Sequence, residues 1–356
     1  MIMLIHTKHS SAQSPAYDAN WVKNTTLSDE FSGTSLDASK WCAIDLWTGS
    51  PPCNCCTWGG NSRFKAANTS VGSDGSQNVL ILRVDAPFAG STIPYDVTEC
   101  CNTGGIQSNG ESYTYGYLEM YAKFPGFVDG NGVGHSYKFW PAFWTYHQEL
   151  TGPCSTWVHD EIDIVDPGGV LYSDAKTYGG GVGNEDGNCS TYGVTYQYQS
   201  SSHLCNGYHK YGVEWNSDRM IFYFDDVPVS ARYNAPMFIM DPQRLVIDQQ
   251  IDILATNGFD AGITFPQYMK VDYFRYYTLI QSGSGCSTSA TILNNTDLAN
   301  YTWGVKSDIT FGNGSGTISL SSGDNKTFRA SNSITINGEF TVPLGAEFTA
   351  VSTPCN

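Results

Sequence analysis

The sequence predicts an all-β protein, a β-sandwich followed by a smaller β-rich module. Between residues 21 and 280, short runs such as NVLILRVDA, YGYLEMYAKF and RMIFYFDDVPVS are separated by Gly, Asn, Asp and Pro. Apolar and polar residues that alternate with a period of two are typical of half-buried strands. Almost no stretch keeps a helical period beyond two turns, and no strand–helix–strand alternation is found. Residues 21–280 are therefore predicted to form the sandwich.

The remaining segments are read from their composition. Residues 1–20 begin with a short apolar stretch followed by small residues, and are either the remnant of a secretory signal or a leader without a fold. Residues 281–289, QSGSGCSTS, are predicted to be a Gly/Ser linker. Residues 290–356 are rich in Ser, Thr, Asn and Gly and are predicted to form the small β module. A disulfide between Cys286 and Cys355, which bracket this module, would contribute about 4 kcal/mol.

Charge and cysteine content narrow the class of protein. The 356 residues include 34 acidic and 18 basic ones, a net charge of −16, so binding to nucleic acid or anionic lipid is not expected. No run of 18 apolar residues is present, so no membrane span is predicted. Eleven cysteines without recurring C-x-x-C pairs favour disulfides over a metal site, and hence an oxidising compartment. Because the number is odd, one thiol is free or paired between molecules; we expect a monomer.

The segment EIDIVD places three carboxylates on one predicted strand. Side chains alternate between the faces of a strand, so Glu161 and Asp163 point the same way. Asp166 joins them only if a β-bulge at Ile164 and Val165 adds one residue. Acids in such a row repel one another and raise at least one pKa. A retaining glycosidase needs two carboxyls about 5 to 5.5 Å apart; the alternative is an ordinary solvated strand face.

Aromatic residues crowd the segment just upstream, SYKFWPAFWTYH. Trp140 and Trp144 either belong to the core or stack against sugar rings, whose apolar faces fit an indole.

Six blocks, in order, carry a resemblance to a known family: DEFSGTSLDASKW, GGIQSNGESYTYGYLEMYAKFP, FWPAFW, EIDIVD, YHKYGVEWNSDRMIFYFDD and VDYFRYY. The chain from about residue 28 to 278 resembles glycoside hydrolase family 16, the laminarinase, lichenase, agarase and carrageenase group. The resemblance implies a concanavalin-like β-jelly-roll sandwich whose concave face binds a β-linked polysaccharide. It implies that Glu161 is the nucleophile, that Asp163 tunes it, and that Asp166 stands where the family has its acid/base Glu. Asp is one methylene shorter, and a misplacement of about 1.3 Å can cost on the order of 100-fold in rate.

The resemblance also assigns positions outside the acid row. Trp140, Trp144 and Gln107 match substrate-binding positions in the cleft. His159 is predicted on the acid-bearing face, where it either hydrogen-bonds a sugar or a carboxylate, or is a structural histidine. Asp272 matches a position that helps to bind a structural calcium ion, for which one carboxylate is weak evidence. No other cofactor is expected.

The C-terminal segment NSITINGEFTVPLGAEFTA resembles extensions of secreted Bacteroidetes proteins, which implies an extracellular or cell-surface location. Taken together, the sequence predicts a secreted, endo-acting, retaining β-glycanase, with β-1,3- or mixed-linkage glucan as the expected substrate. The alternative is a carbohydrate-binding or cell-surface protein on the same fold, in which Asp166 marks lost catalysis.

Overall fold

The computed structural model divides the chain into two compact units, Met1–Thr278 and Leu279–Asn356. It describes residues 14–17, 21–45, 62–87, 101–136, 138–149, 158–166, 175–185, 191–216, 219–233, 239, 241–251, 262–279, 289–299, 301, 306–312, 317–322 and 325–352. The proposed leader lies largely outside these residues, and the proposed linker almost entirely so.

The first unit is built from short strands, as the alternating pattern predicts. In chain order they are β1 (Trp21–Lys23), β2 (Trp41–Ala43), β3 (Ser62–Phe64), β4 (Thr69–Asp74), β5 (Gln77–Val84), β6 (Cys101–Thr103), β7 (Gly105–Ser108), β8 (Gly116–Lys123), β9 (Phe127–Val128), β10 (Gly134–His135), β11 (Phe139–Glu149), β12 (Val158–Val165), β13 (Thr177–Glu185), β14 (Thr191–Gln199), β15 (His209–Trp215), β16 (Arg219–Phe224), β17 (Val227–Tyr233), β18 (Arg244–Ile251) and β19 (Gln267–Leu279). Two 3-10 turns, Pro15–Tyr17 and Ala66–Asn68, complete the described elements of this unit.

Two large antiparallel sheets form the sandwich. Sheet I has the strand order β17-β16-β15-β8-β19-β5-β4, with β1 paired to β19, and sheet II has the order β14-β13-β12-β11-β18-β7-β2. Small pairings, β3 with β6 and β9 with β10, lie outside both sheets. The order of the strands places β12, which carries the predicted acids, between β11 and β13 in sheet II. The predicted all-β jelly-roll sandwich is confirmed.

The core lies between the sheets and takes one face of each. Its buried side chains come from both sheets and include Leu118, Met120 and Val213 of sheet I and Ile162, Ile164 and Ile247 of sheet II. Each such side chain, when fully buried, stabilises the fold by about 1.5 to 3 kcal/mol. Because alternate residues of sheet II point into this core, the residues between them are turned to the opposite face, and that face carries the site.

The second unit differs in strand direction. It contains β20 (Ala290–Ile292), α1 (Asn295–Ala299), β21 (Lys306–Phe311), β22 (Thr317–Ser319), β23 (Asn325–Ile336), β24 (Glu339–Thr341) and β25 (Glu347–Ser352). All described pairings are parallel, in the orders β20-β21-β23-β25 and β22-β24. Thr317 pairs with Glu339 and Asn325 with Glu347, so the chain comes back beside itself after 22 residues in both places. The unit is therefore a stack of coils.

Phenylalanines fill the interior of the second unit. The rings of Phe311 and Phe328 lie 4.8 Å apart edge to face, and those of Phe328 and Phe348 lie 5.4 Å apart. The ring of Phe311 also lies 5.6 Å from that of Phe348, and the three rings, one each from β21, β23 and β25, form a phenylalanine column.

Two further predictions concern the whole chain. Across the described ranges, no helix combines the length and the hydropathy needed to cross a membrane. Cys205 carries a free, buried thiol, as the odd number of cysteines allows. The predicted disulfides, including Cys286 with Cys355, involve cysteines that lie largely outside the described residues, so this framework stays a prediction.

Candidate active site

A β-bulge in β12 brings the three acids to one face of sheet II. In the pairing of β11 with β12, Trp144 lies opposite Asp163 and Phe143 lies opposite Val165, so Ile164 has no partner of its own. Ile164 and Val165 are both buried in the core. The extra residue restores the alignment that regular alternation would lose, and Asp166 is half-buried on the side of the other acids. The bulge predicted at Ile164 and Val165 is confirmed.

The three carboxyl groups form a compact cluster. One carboxylate oxygen each from Glu161, Asp163 and Asp166 can be chosen so that all three lie within 4.8 Å of one another. An oxygen of Glu161 and one of Asp166 thus lie no more than 4.8 Å apart, a closeness that suits two carboxyls acting on one glycosidic bond with retention, for which about 5 to 5.5 Å between the groups is typical, whereas an inverting pair stands about 6.5 to 9.5 Å apart. Asp166 therefore reaches the row despite its shorter side chain.

Asp163 is the acid whose charge is most strongly suppressed. Burial raises the pKa of Asp163 well above its ordinary value, and the negative charges of Glu161 and Asp166, with a hydrogen bond to Glu161, raise it further. Its Oδ1 atom is buried and has no hydrogen-bond partner among the described residues. A protonated Asp163 can donate to Glu161, and it removes one of three charges that would otherwise repel one another.

Trp140 holds the third acid in place. Its indole Nε1 donates a 2.8 Å hydrogen bond to Oδ1 of Asp166. The backbone N–H of Asp166 donates to the carbonyl of Gly179 on β13, also at 2.8 Å. One carboxylate oxygen of Asp166 is thus tied to β11 and its backbone to β13, which fixes where the carboxyl lies in the row. Trp140 itself is half-buried.

Trp144 hydrogen-bonds a different acid, Asp248, which the sequence analysis did not identify. Only 8% of Trp144 is exposed, and its ring packs in an apolar cluster with Ile44, Phe64 and Val246. Its Nε1 donates a 3.1 Å hydrogen bond to Oδ2 of Asp248. The prediction that Trp144 is a platform for sugar is therefore corrected, because side chains from β3 and the segment after β2 already cover the indole.

Asp248 on β18 is a buried acid, with only 2% of the residue exposed to solvent. Burial raises its pKa from 3.8 to about 7; the charge of Asp166 raises it, and hydrogen bonds from Trp144 and Gln250 lower it. The signal in the sequence is LVIDQQI, a buried strand in which Asp-Gln-Gln interrupts the apolar run. Polar residues in a buried strand call for partners, and naming those partners requires the strand order.

Other predicted positions fall outside the cluster. Gln107 on β7 is fully buried, so the prediction that it binds substrate is corrected: no surface is left for a sugar to contact. His159 lies on β12 opposite Gln148, but its side chain is outside the description.

The predicted calcium site at Asp272 finds little support in the side chains around it. Glu30, the acid whose charge raises the pKa of Asp272 after burial, is itself paired with Arg275 at 2.8 Å and with Lys23 at 2.9 Å. Among the described residues, the acids of β12 are the group of three or more potential metal-binding side chains, and Asp272 belongs to no such group. One carboxylate beside a neutralised one does not fit a hard divalent cation, which prefers six to eight oxygens.

Beside the acids, strand β13 of sheet II carries glycines. Gly183 and Gly181 of β13 lie opposite Glu161 and Asp163. A Cβ atom at Gly183 would meet only the Cβ of Glu161, at 3.9 Å, so no packing demands a glycine there. The next strand presents Thr195, Gln197 and Gln199 as exposed residues. Glycines next to the acids leave room for a broad ligand, a feature that the sequence segment TYGGGVG carries but that we did not predict.

Known proteins resemble this chain in sequence. The family model for glycosyl hydrolases family 16 matches residues 60–265. The endo-1,3-1,4-beta-glycanase ExsH of Rhizobium meliloti is 30% identical over 207 residues, which are 57% of this chain and 39% of that protein. The glucan endo-1,3-beta-glucosidase A1 of Niallia circulans is 28% identical over 281 residues, 71% of this chain and 38% of that protein. The chain thus spans about two fifths of the length of these curated relatives.

Solved structures agree on the fold. A Bacteroides ovatus mixed-linkage glucan family 16 protein in complex with a G4G4G3G product matches with a TM-score of 0.53 at 20% identity, covering 70% of this chain and 99% of that one. The catalytic domain of a laminarinase from Thermotoga petrophila matches with a TM-score of 0.53 at 19% identity, covering 73% and 99%. The matched residues contain the bulged strand and both indoles that bind carboxyls, and this chain belongs to glycosyl hydrolases family 16.

Proposed function

We propose that the chain is an endo-acting β-glycanase that cleaves β-1,3- or mixed-linkage glucan with retention of configuration. The observation that carries the proposal is the cluster of Glu161, Asp163 and Asp166 within 4.8 Å on one face of a bulged strand. Separation, shared face and membership of the family all fit the same two-carboxylate chemistry.

In the first step, a carboxylate oxygen of Glu161 attacks the anomeric carbon of the sugar. The bond from that carbon to the glycosidic oxygen breaks, and Asp166 donates its proton to the departing oxygen, so that a glycosyl ester on Glu161 and a shortened glycan result. Protonated Asp163, hydrogen-bonded to Glu161, stabilises the nucleophile's charge before attack and can release it during bond formation.

In the second step, Asp166 acts as a base. Its carboxylate takes a proton from a water molecule whose oxygen attacks the same anomeric carbon, the ester bond to Glu161 breaks, and both carboxyls return to their starting states. The hydrogen bond from Trp140 to Oδ1 holds the carboxyl of Asp166 in place during both steps.

The choice of substrate rests on three observations. Relatives that match over more than half of this chain are named as an endo-1,3-1,4-beta-glycanase and a glucan endo-1,3-beta-glucosidase. The acid row and a net charge of −16 disfavour an anionic polymer. The bare glycines of β13 give a flat glucan chain access beside Glu161.

One observation favours a second candidate, a glycan-binding protein without catalysis. The N–H of Trp140 stabilises the ionised form of Asp166, which opposes the protonated state that the first step requires. This protein would bind the same glucans and release no product.

The test is reducing-sugar release from laminarin, lichenan, agarose, carrageenan and xylan. We expect release from laminarin or lichenan that is lost in Glu161→Gln and kept in the matched control Glu339→Gln, which removes an exposed charge in the second unit. The anomer formed first, followed by proton NMR, should be the β form. No release from glucans that the protein demonstrably binds would overturn the enzyme and support the binding protein.

We also propose an extracellular location, since the substrate is a polymer and the many cysteines suit an oxidising compartment. Fractionation of cells that express the natural gene tests this, and recovery of the protein only from the cytosol would refute it.

A further inference from the structure

A fourth carboxyl, that of Asp248, lies on the same face of sheet II as the three acids but has no part in the proposed chemistry. Asp248 lies on β18 and pairs with Ala142 of the neighbouring strand β11 on one side and with Gly105 of β7 on the other. Val165 pairs with Phe143, so the next residue, Asp166, lies level with Ala142 on its other side. Asp166 and Asp248 therefore flank one small residue, about two strand spacings or 10 Å apart.

Asp248 is closely surrounded, with only 2% of the residue exposed. A Cβ atom at Gly105 would come within 2.8 Å of the Cβ of Asp248 and within 3.1 Å of atoms of Ile44 and Phe64. The backbone of Gly105 therefore lies directly beside the acid, with no room for a larger residue there. Oδ1 of Asp248 is buried and has no hydrogen-bond partner among the described residues, whereas Oδ2 accepts the bond from Trp144. A buried oxygen without a donor is a place where a proton is favoured.

In the described part of the chain, no cationic side chain is among the groups that act on this carboxyl. The groups that act on it are the charge of Asp166 and the hydrogen bonds of Trp144 and Gln250. Among the described residues, its neighbours on the same face of sheet II include Trp140, Ala142 and Trp144 of β11, Gln107 of β7, and Val246 and Gln250 of β18, none of which titrates. The acids on that face are Glu161 and Asp163 of β12 and Asp166 after it, and of these it is the charge of Asp166 that acts on Asp248.

We propose that Asp248 is a positioning residue for the acid/base carboxyl: it binds a proton of its own beneath the cleft, and once that proton leaves, its negative charge holds the proton on Asp166. This inference rests on the proposed function, in which Asp166 must be protonated for the first step. Trp140 and Asp248 then act on Asp166 in opposite directions, since the indole N–H favours its ionised form and the buried charge favours its neutral form.

The size of the effect follows from the spacing. Two unit charges about 10 Å apart, at an effective dielectric constant of about 20, shift each other's pKa by about one unit, which is about tenfold in the protonated fraction. Because the pKa of Asp248 is about 7, its charge develops as the pH rises through neutrality. Below about pH 6, Asp248 is neutral and has little effect on Asp166.

The structure supplies two reporters for a test that does not need activity. The indole N–H of Trp140 binds Asp166, and that of Trp144 binds Asp248, so their nitrogen and proton NMR shifts follow the charge of the two acids separately. We expect the Trp144 signal to titrate with a midpoint near 7, and the Trp140 signal to show a second step at the same pH. Asp248→Asn should remove both steps, whereas Glu119→Gln, which alters an equally buried acid on sheet I, should keep them.

The activity arm compares kcat/KM of the parent and Asp248→Asn between pH 5 and 9. The ratio of parent to variant should rise about tenfold between pH 6 and 9, and should stay flat for Glu119→Gln. A Trp144 signal that does not titrate, a Trp140 step that persists in Asp248→Asn, or a flat activity ratio overturns the proposal. If the protein hydrolyses no glycan but both indole steps occur and vanish in Asp248→Asn, the link between the two acids stands and the proposed enzymatic function fails.

Discussion

Replacing Asp248 by asparagine should stabilise the protein, and more so as the pH rises. The asparagine side chain has the same shape and keeps an oxygen that can accept the hydrogen bond from Trp144, but it carries no charge. In the folded protein the pKa of Asp248 is raised from 3.8 to about 7. The folded state therefore binds more protons than the unfolded state between these two values, and its stability falls as the pH rises through this window.

The magnitude is set by the width of that window. About three pKa units at 1.36 kcal/mol each give a penalty of about 4 kcal/mol, fully present above pH 7 and absent below about pH 4. Asp248→Asn escapes this penalty. The difference in free energy of unfolding between variant and parent should therefore grow by about 4 kcal/mol in favour of the variant from pH 4 to pH 8.

Urea unfolding at pH 4, 6 and 8, followed by tryptophan fluorescence, measures this difference. Asp37→Asn is the matched contrast, because hydrogen bonds from the hydroxyl and N–H of Ser39 lower the pKa of exposed Asp37. That variant should lose stability above pH 4, the opposite sign. A stability difference for Asp248→Asn that does not change with pH would show that the acid is not charged at pH 8, and the reasoning would fail.

Three further predictions follow from the site and the second unit. Trp140→Phe removes the hydrogen bond to Asp166 and should lower turnover of glucan by about 10- to 100-fold. The loss should be much smaller on aryl glycosides, because their leaving group needs no proton. An equal loss on both substrates would contradict the role assigned to Trp140. Gly183→Val places a side chain beside Glu161 without a packing clash, so KM for glucan should rise while the thermal transition is kept; unchanged KM would show that glycan does not cross this strand. Phe328→Ala should destabilise the second unit by about 3 to 5 kcal/mol, and calorimetry should show its transition at a lower temperature. Hydrolysis should be unchanged, because the acids lie in the first unit. A loss of hydrolysis would contradict this expectation.

The acid row could be predicted from the sequence because its logic is local. Alternation alone puts Glu161 and Asp163 together and turns Asp166 away, so the motif needs one added residue, and the structure has it at Ile164. The sandwich was predictable for the same reason, since the period of two is visible in each run of residues.

The partners of the indoles could not be predicted, because they depend on strand order. Trp144 and Asp248 are 104 residues apart in the chain, and Ile44 and Phe64, which bury Trp144, are also distant from it in sequence. A tryptophan next to a catalytic strand has the same sequence signature whether it stacks on sugar or fills a core. Only the pairing of β11 with β18 distinguishes the two.

The second unit shows a related limit. Alternating Ser, Thr and apolar residues predict strands, but the pattern is the same for parallel and antiparallel neighbours, so the stacked coils were not foreseen. The phenylalanine column could not be predicted from the register either, because Phe311 pairs with Ile336 and Phe328 pairs with Ala350, and the rings meet only in the folded unit.

This stacking gives the second unit a length that changes in whole steps. A coil of 22 residues inserted or removed at a boundary such as that between Thr317 and Glu339 changes the height of the stack by one strand spacing, about 4.8 Å, and leaves the remaining coils in register. A single inserted residue within a strand instead turns every later side chain of that strand to the other face and expels its phenylalanine from the column. Related chains should accordingly tolerate gain or loss of complete coils in this unit, and the distance between its two ends becomes a property that evolution or an engineer can set by counting repeats.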